Sequence, residues 1–213
     1  MQNITVLTIE PKPFMSDPWN RGKRIGQKLP LKAKEVWAIR THLQVQGRKR
    51  DLALFNLGID SKLRGCDLLK LRLSDIALSG TLRRRATIRQ QKTGHCVTFE
   101  ITEATRNALN DWLAVRPNTV SLYLFNSRGS SGRPLTTRQY ARLVKQWVAL
   151  VGLDAAEYGT HSIRRTKPAA IYRQTGNLRA VQILLGHSKL ESTVRYLGID
   201  VDDAIALAEQ TDF

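Results

Sequence analysis

Hydrophobic residues recur at helical spacing along most of the chain. Val36, Ile39 and Leu43 are three and four positions apart, as on one face of an α-helix, and Gly47 follows as a terminator. Segments of the same kind predict further helices, which are "RKRDLALFNLGI", "RGCDLLKLRLSDI", "EATRNALNDWLAVR", "RQYARLVKQWVALVG", "THSIRRTKPAAIYRQTG", "NLRAVQILLG" and "KLESTVRYLG". The pattern therefore predicts a mainly helical protein.

One stretch departs from the helical pattern. In residues 81–102, two runs rich in β-forming residues flank "KTGH", whose glycine suits a tight turn, so we predict a β-hairpin with Lys92 at or beside its tip. The apolar "SLYLFNS" predicts another short strand, and "RGSSGRPLTT" predicts a loop that ends in a threonine cap. The fold class is therefore mainly α with a small antiparallel β-sheet or hairpin (α+β).

The two ends of the chain differ from this body. Residues 1–30 contain four prolines, scattered basic residues and no sustained period, which predicts a basic arm. Residues 200–213 are acidic and amphipathic, which predicts a short tail helix that needs a docking surface to be stable. We therefore divide the chain into an arm at 1–30, a domain at 31–199 and a tail helix at 200–213.

Local signals refine the helix predictions. Thr160 is a capping type at the start of one predicted helix, and Gly176 and Gly186 are of the type that ends helices. Pro168 lies four residues after Arg164, where it lacks an N–H and crowds the arginine carbonyl. We therefore expect a kink or a late helix start there.

Charge indicates the class of partner. The 213 residues include 34 Lys and Arg against 18 Asp and Glu, a net charge of +16, which favours a polyanion such as nucleic acid. The tail is the exception, because residues 197–213 hold five acidic residues and no Lys or Arg. A basic surface that is merely solvated is the alternative that charge alone leaves open.

Composition also predicts the compartment. The chain has no run of about 20 apolar residues and no secretory signal at its start, so we expect a cytoplasmic, nucleoid-associated protein without a membrane partner. Cys66 and Cys96 are isolated in the sequence. We therefore expect them to be reduced, small buried hydrophobic residues.

A His-x-x-Arg pair introduces candidate chemistry. On a helix, His161 and Arg164 project from one face, although alone they also fit a surface histidine beside a surface arginine. The chain holds further residues of the types that phosphodiester cleavage needs, at Arg64, Lys92, His187 and Tyr196. Paired guanidinium groups can bind non-bridging oxygens, and a phenol can attack phosphorus if other groups move the protons. Tyr196 itself fits a core aromatic, a surface ring or a nucleophile.

Six motif residues in order, the first of them accompanied by an acid three positions later, carry a family resemblance. They are Arg64 with Asp67 in "RGCD", Lys92 in "QKTGH", His161 and Arg164 in "HSIR", His187 in "LGH", and Tyr196 nine residues later. This set resembles the signature of the tyrosine recombinases, the phage-integrase family, over about residues 31–199. The resemblance implies the catalytic-domain fold of the DNA breaking-rejoining enzymes.

The resemblance also implies a reaction. Tyr196 would attack the scissile phosphate, form a 3′-phosphotyrosyl link and release a 5′-hydroxyl. Arg64 and Arg164 would bind the non-bridging oxygens. Because the covalent link stores the bond energy, a second 5′-hydroxyl could reverse the step, and neither a metal nor another cofactor such as ATP would be required.

Four more roles follow from the same resemblance. Lys92 would be the general acid toward the leaving oxygen, and His161 would accept the tyrosine proton. His187 would be a further phosphate contact, and Asp67 would brace the arginine helix. An exposed helix acid is the alternative for Asp67.

Some basic residues remain as alternatives or outside the motif. Arg89 and the Arg83–Arg85 run lie close to Lys92 in the sequence and are alternative cations for its role. His42 and His95 match no motif position, so we expect them to be ordinary surface or structural residues.

Full-length members of the family usually carry a helical core-binding domain before the catalytic one. This sequence has only an arm and about one helix before the Arg64 region, so it resembles the minimal recombinases. By the same resemblance we expect double-stranded DNA as partner and a homotetramer on DNA, with the tail docking in cis or in trans.

Three functions remain distinct from a site-specific recombinase. A catalytically silent DNA-binding protein would keep the charge and the fold, and a type IB topoisomerase-like relaxase would share the nucleophile and the arginines. An RNA-binding or structural role would account for the charge alone.

Overall fold

In the computed structural model of the protein, residues 27–116, 122–127 and 132–198 are described, together with the helical positions 205 and 209. Over these ranges the chain forms α1 (Ala33–Val45), α2 (Lys49–Ser61), α3 (Gly65–Leu69), α4 (Leu73–Ile76), β1 (Ala77–Leu78), β2 (Thr81–Leu82), β3 (Arg85–Arg89), β4 (Cys96–Glu100), α5 (Glu103–Val115), α6 (Thr137–Ala149), α7 (Thr160–Thr175), α8 (Leu178–Leu185) and α9 (Leu190–Leu197). The prediction of a mainly helical fold with small antiparallel sheets is confirmed. The predicted arm up to residue 26 and most of the predicted tail lie outside the described residues.

The core is built around α2. This helix is buried along most of its length and packs against α1, α5 and α7. Gly58 lets α7 approach closely, because a Cβ there would lie 2.9 Å from Cγ2 of Ile163, the residue before Arg164. On the other side, the fully buried Trp147 of α6 meets the Phe55 ring edge-on at 5.5 Å between centroids.

The hairpin prediction is confirmed. Strands β3 and β4 pair antiparallel, and their last partners are Arg89 and Cys96, which leaves residues 90–95, including Lys92, as the turn. Alternation along β4 turns Val97 inward and Cys96 outward. The expectation that both cysteines are buried is therefore wrong: both are free, Cys96 is exposed and Cys66 is half-buried.

Tertiary contacts alter two local predictions, and a third is confirmed. The predicted third helix is divided into α3 and α4, because Leu71 accepts a backbone hydrogen bond from Leu124 instead of continuing the helix. The predicted strand in "SLYLFNS" is reduced, within its described residues, to isolated bridges at Tyr123 and Asn126. Thr136 caps α6 as expected.

Helix α7 begins earlier than predicted. Gly159 is its N-cap residue and Thr160 already lies inside the helix, because the Ser162 hydroxyl accepts the Gly159 N–H at 3.1 Å. The helix continues through Pro168 to Thr175, so a late start at the proline is wrong. Gly176 and Gly186 end α7 and α8 in the left-handed conformation, as predicted.

A buried ionic cluster joins α2, β4 and α7 beside this helix. The Lys167 ammonium lies 2.8 Å from Asp60 Oδ1 and 2.5 Å from Glu100 Oε1. The fully buried Lys62 donates to Glu100 at 2.7 Å and to the carbonyl of Asp60 at 2.6 Å. The other Asp60 oxygen accepts hydrogen bonds from the backbone and hydroxyl of Thr102 and from the hydroxyl of Thr105. The cluster therefore holds the segment before Arg64 against the helix that carries Arg164.

None of the described helices is both long enough and apolar enough to cross a membrane.

Candidate active site

Arg64 and Asp67 lie where α3 meets the hairpin. Arg64 is the N-cap residue of α3, and its Nη1 donates to Gln90 Oε1 at 2.6 Å. Asp67 is buried, and its Oδ1 accepts the backbone N–H of Gln91 at 3.0 Å. The predicted bracing residue therefore joins the helix after Arg64 to the hairpin turn, and it is not the exposed acid of the alternative interpretation.

Lys92 is exposed in the turn that follows Gln91. Gln90 anchors this turn, since its backbone N–H donates to the His95 carbonyl at 2.9 Å and its side chain accepts from the Thr93 hydroxyl at 2.9 Å. The charge of Lys92 is one cause that lowers the pKa of His161, after burial and three arginines, so the lysine lies within electrostatic reach of that histidine. Arg89, the alternative cation, donates to the Gly94 carbonyl at 3.1 Å within the turn.

His161 and Arg164 extend from the first turns of α7 at different depths. His161 is exposed, whereas Arg164 is 3% exposed and its Nη2 donates to the Leu185 carbonyl at 3.2 Å. The Arg164 Nε is buried without a hydrogen-bond partner. Burial and the nearby charges, Arg164 first among them, hold the pKa of His161 below its usual value. A neutral imidazole at neutral pH can accept a proton.

His187 directly follows Gly186, the residue that ends α8. Its Nδ1 lies 3.1 Å from Thr193 Oγ1, and its ring meets the Tyr196 ring edge-on at 5.4 Å between centroids. Burial, followed by the charges of Arg164 and Arg64, lowers the pKa of His187 to about 4. His187 is therefore a neutral ring that packs against Tyr196.

Tyr196 lies on α9 with its hydroxyl buried and without a hydrogen-bond partner. The guanidinium of Arg164 lies over the ring at 5.5 Å from its centroid. Burial raises the pKa of Tyr196 to about 12, although Arg164, Arg165 and Arg64 each act to lower it. The Tyr196 phenol therefore needs a proton acceptor to ionise, and the positive charges of three arginines favour its ionised form.

The structure brings the predicted residues together in two layers. The inner layer consists of the buried Arg164 with the half-buried Arg64, His187 and Tyr196, while His161 and Lys92 lie exposed within electrostatic reach of it. Beside α9 an open cleft of about 450 Å³ is lined by Gln27, Lys189, Glu191, Ser192, Arg195 and Tyr196.

Sequence analysis missed Gln90, which is 1% exposed and links Arg64 to the carbonyl that holds Arg164. Its Oε1 accepts from Arg64 and its Nε2 donates to the Leu185 carbonyl at 3.2 Å, the same carbonyl that binds Arg164. The glutamine therefore sets the spacing of the two arginines. The signal available in the sequence was only its place two residues before Lys92.

Two other features of the described residues lie apart from these side chains. A cleft of about 840 Å³ opens at the N-terminal end of α2, between Arg48, Trp112, Leu135 and Arg142, and none of the motif residues lines it. No three His, Cys, Asp or Glu side chains of the described segments gather as a set of metal ligands.

Comparison with known proteins finds relatives of this chain. The sequence model of the phage integrase family matches residues 30–202. "Probable integrase/recombinase YoeC" of Bacillus subtilis is 32% identical over 154 residues, 72% of this chain and 80% of YoeC. Tyrosine recombinase XerC of Actinobacillus pleuropneumoniae is 35% identical over 155 residues, 71% of this chain but 48% of XerC. The chain thus spans about half the length of this XerC.

Solved structures share the fold at lower identity. The crystal structure of XerA recombinase superposes with a TM-score of 0.71 at 20% identity, covering 87% of this chain and 66% of XerA. A lambda integrase dimer bound to a core site gives a TM-score of 0.60 at 19% identity, over 85% of this chain and 50% of the integrase. Together with the family match over most of the chain, these findings show that the chain belongs to the phage integrase family, the tyrosine recombinases.

Proposed function

We propose that this protein is a site-specific DNA recombinase that cuts and rejoins DNA strands through a 3′-phosphotyrosyl intermediate, without a metal or ATP. The observation that carries the proposal is the Tyr196 ring, packed against the buried Arg164 and against His187. The net charge of +16 suits a DNA partner, and two structural neighbours are XerH recombinase bound to its difH substrate before and after cleavage.

Each predicted residue then has a place in the reaction. The Tyr196 oxygen attacks the scissile phosphorus, the bond from phosphorus to the 5′-oxygen breaks, and the phosphate stays on tyrosine. Arg64 and Arg164 donate hydrogen bonds to the non-bridging oxygens, where negative charge accumulates. Gln90 links the two arginines, because it accepts a hydrogen bond from Arg64 and donates one to the Leu185 carbonyl that also binds Arg164. Asp67 ties α3 to the hairpin turn that contains Gln90.

The two protons need separate groups. Because burial raises the pKa of Tyr196, its proton must leave during attack, and the neutral His161 is the acceptor. Lys92 donates a proton to the departing 5′-oxygen, while His187 contacts the phosphate. The reverse reaction uses the 5′-hydroxyl of a second strand. Since the Tyr196 hydroxyl is buried in the free protein, DNA binding must expose it.

We assign this chemistry to residues 31–199, which lie within the family match at residues 30–202. We further propose that the protein acts in the nucleoid as a homotetramer on two duplexes. The acidic residues 200–213 then dock on the basic body of the same or a neighbouring protomer. Deletion of residues 200–213 should weaken oligomerisation on DNA and lower activity. Unchanged assembly and activity would contradict the role of the tail.

A covalent-adduct assay tests the nucleophile. The protein is incubated with nicked duplexes from a randomised-sequence library, and SDS-resistant protein–DNA adducts are isolated and sequenced. We expect an adduct through a 3′-phosphate from the unchanged protein and from a Tyr172→Phe variant, but none from Tyr196→Phe. Tyr172 is the matched control, since it lies on α7 outside the motif.

Other outcomes assign other functions. DNA binding without an adduct from any sequence would indicate a catalytically silent DNA-binding protein. Relaxation of supercoiled plasmids without defined sites would indicate a topoisomerase-like relaxase. An equal adduct from the Tyr196→Phe variant would remove Tyr196 as the nucleophile.

A further inference from the structure

Arg165 is a buried arginine that the family motif does not include. It follows Arg164 on α7 and is 6% exposed. Its guanidinium lies over the Tyr196 ring at 5.5 Å from the centroid, the same distance as that of Arg164. The tyrosine ring is therefore placed beside two cations from adjacent positions of one helix.

The Arg165 guanidinium is anchored by the chain that precedes α1. Its Nη1 donates to the backbone carbonyl of Lys28 at 2.7 Å, while its Nε is buried without a hydrogen-bond partner. An uncharged carbonyl fixes the position of the cation without neutralising it. The phenol of Tyr196 acts on the charge of Arg165, and Arg165 in turn helps to lower the pKa of His161.

Residues 27–31, which we call the N-terminal strap, are themselves held in place. The Lys28 ammonium donates to the Ala156 carbonyl at 2.6 Å, and the Leu29 N–H donates to the Glu157 carbonyl at 3.2 Å. The Leu31 N–H donates to the Thr166 hydroxyl at 3.0 Å. The carbonyl that anchors Arg165 therefore belongs to a fixed segment.

The strap also reaches α9. Gln27 donates from its side-chain amide to the carbonyl of Arg195, the residue before Tyr196. The strap thus contacts both the cation over the tyrosine ring and the backbone that carries the ring. These contacts set the position of Tyr196 relative to α7 independently of the two motif arginines.

We propose that Arg165 is a positioning residue for Tyr196: anchored on the Lys28 carbonyl, its guanidinium holds the ring and favours loss of the phenol proton during attack. This inference rests on the proposed role of Tyr196 as nucleophile. A cation over an aromatic face is attracted to the neutral ring and more strongly to the phenolate. Other groups near the ring are Arg164 and Arg64, which are cationic, and His187, which is neutral at neutral pH. The charged side chains of Lys189, Glu191 and Arg195 line the cleft beside it.

The test separates an effect on ionisation from a loss of structure. Single-turnover adduct formation is measured on a saturating nicked duplex from pH 6 to pH 9.5 or so, for Arg165→Gln and for Arg173→Gln, an exposed arginine on the same helix. Because the pKa of Tyr196 lies above this whole range, we expect Arg165→Gln to be about ten-fold slower at every pH tested, as for one unit of phenol pKa. Arg173→Gln should match the unchanged protein.

Fluorination of the nucleophile provides a second readout. Site-specific 3,5-difluorotyrosine at position 196 ionises more readily, so it should restore most of the neutral-pH rate of Arg165→Gln. A lowered rate that fluorination does not restore would overturn the inference in favour of a purely structural role. An unchanged rate and pH profile for Arg165→Gln would overturn it as well.

Arg165→Lys keeps the inference testable if the Gln variant melts at a markedly lower temperature. A lysine keeps the charge but cannot both lie over the ring and donate to the Lys28 carbonyl as a planar guanidinium does. We expect a slower reaction with an unshifted pH profile, and a rate equal to that of the unchanged protein would contradict the anchoring. If the unchanged protein itself forms no adduct, the proposed function fails with it, which is a different result from each of these.

Discussion

Replacement of Gly186 by alanine tests how closely α8 packs on the hairpin. Gly186 ends α8 at φ +65°, a conformation that costs an L-residue about 1–2 kcal/mol. A Cβ there would also lie 2.5 Å from Cγ2 of Val97, which is buried on β4 and stiff about χ1. Overpacking of this kind costs roughly 1–3 kcal/mol. Added to the backbone cost, this should lower the free energy of unfolding of Gly186→Ala by about 2–5 kcal/mol.

Gly176→Ala is the matched control. Gly176 ends α7 at φ +62°, but nothing lies within 4 Å of a Cβ at that position. It should lose only the backbone cost of about 1–2 kcal/mol. The two variants are compared by urea unfolding at constant m-value. Equal losses, within about 0.5 kcal/mol, would refute the collision with Val97, because only one of the two glycines meets a neighbour.

The same substitution should affect the chemistry. Gly186 lies between His187 and Leu185, whose carbonyl accepts hydrogen bonds from Arg164 and Gln90. A shift that relieves the overlap with Val97 therefore displaces these partners. We expect adduct formation by folded Gly186→Ala to fall by about ten-fold or more, as for a displaced catalytic group, and Gly176→Ala to remain close to the unchanged protein.

Three further predictions concern α7 and its ionic cluster. Asp60→Asn should lower the free energy of unfolding in urea by about 3 kcal/mol, because it removes one partner of a buried ion pair and leaves Lys167 with Glu100 alone. A loss below about 1 kcal/mol would contradict a stabilising role for the cluster. Burial acts to raise the pKa values of Asp60 and Glu100, but hydrogen bonds led by those from Lys167 outweigh it and hold both pKa values below normal. The two carboxylates therefore stabilise the fold above about pH 4, and this contribution should be lost as the pH falls further and they are protonated. Asp60→Asn should show a shallower fall in the same acid titration. Pro168→Ala should keep or raise the melting temperature, since a helix-interior proline removes a hydrogen bond, and a clear decrease would count against that reasoning.

The hairpin and the helix ends were predictable because their signals are local. "KTGH" holds its turn glycine within the sequence that forms the turn, and Gly176 and Gly186 end helices through their own backbone freedom. The break between α3 and α4 was not predictable, because it depends on a hydrogen bond from Leu124, which lies 53 positions from its partner Leu71. Cys96 was placed wrongly because the burial of a strand residue depends on which face meets the core.

The candidate site divides in the same way. The sequence alone gives the order and spacing of the motif residues, which are Arg64, Lys92, His161, Arg164, His187 and Tyr196. That order and spacing were sufficient to predict the family. Gln90, Arg165 and the N-terminal strap belong to no spacing pattern. Their contacts join segments as far apart as Gln27 and Arg195, or Gln90 and Leu185.

The sequence by itself thus determined the helical and hairpin elements, the positive charge and the set of reactive residues. Tertiary structure alone decided that the Tyr196 hydroxyl is buried and that Arg164 and Arg165 both lie over the Tyr196 ring. It also decided that Gln90 lies between Arg64 and the carbonyl that binds Arg164. The physical reason is that side-chain types and local turns are properties of neighbouring residues. Desolvation, pKa values and the position of a cation over a ring arise only when distant segments pack together.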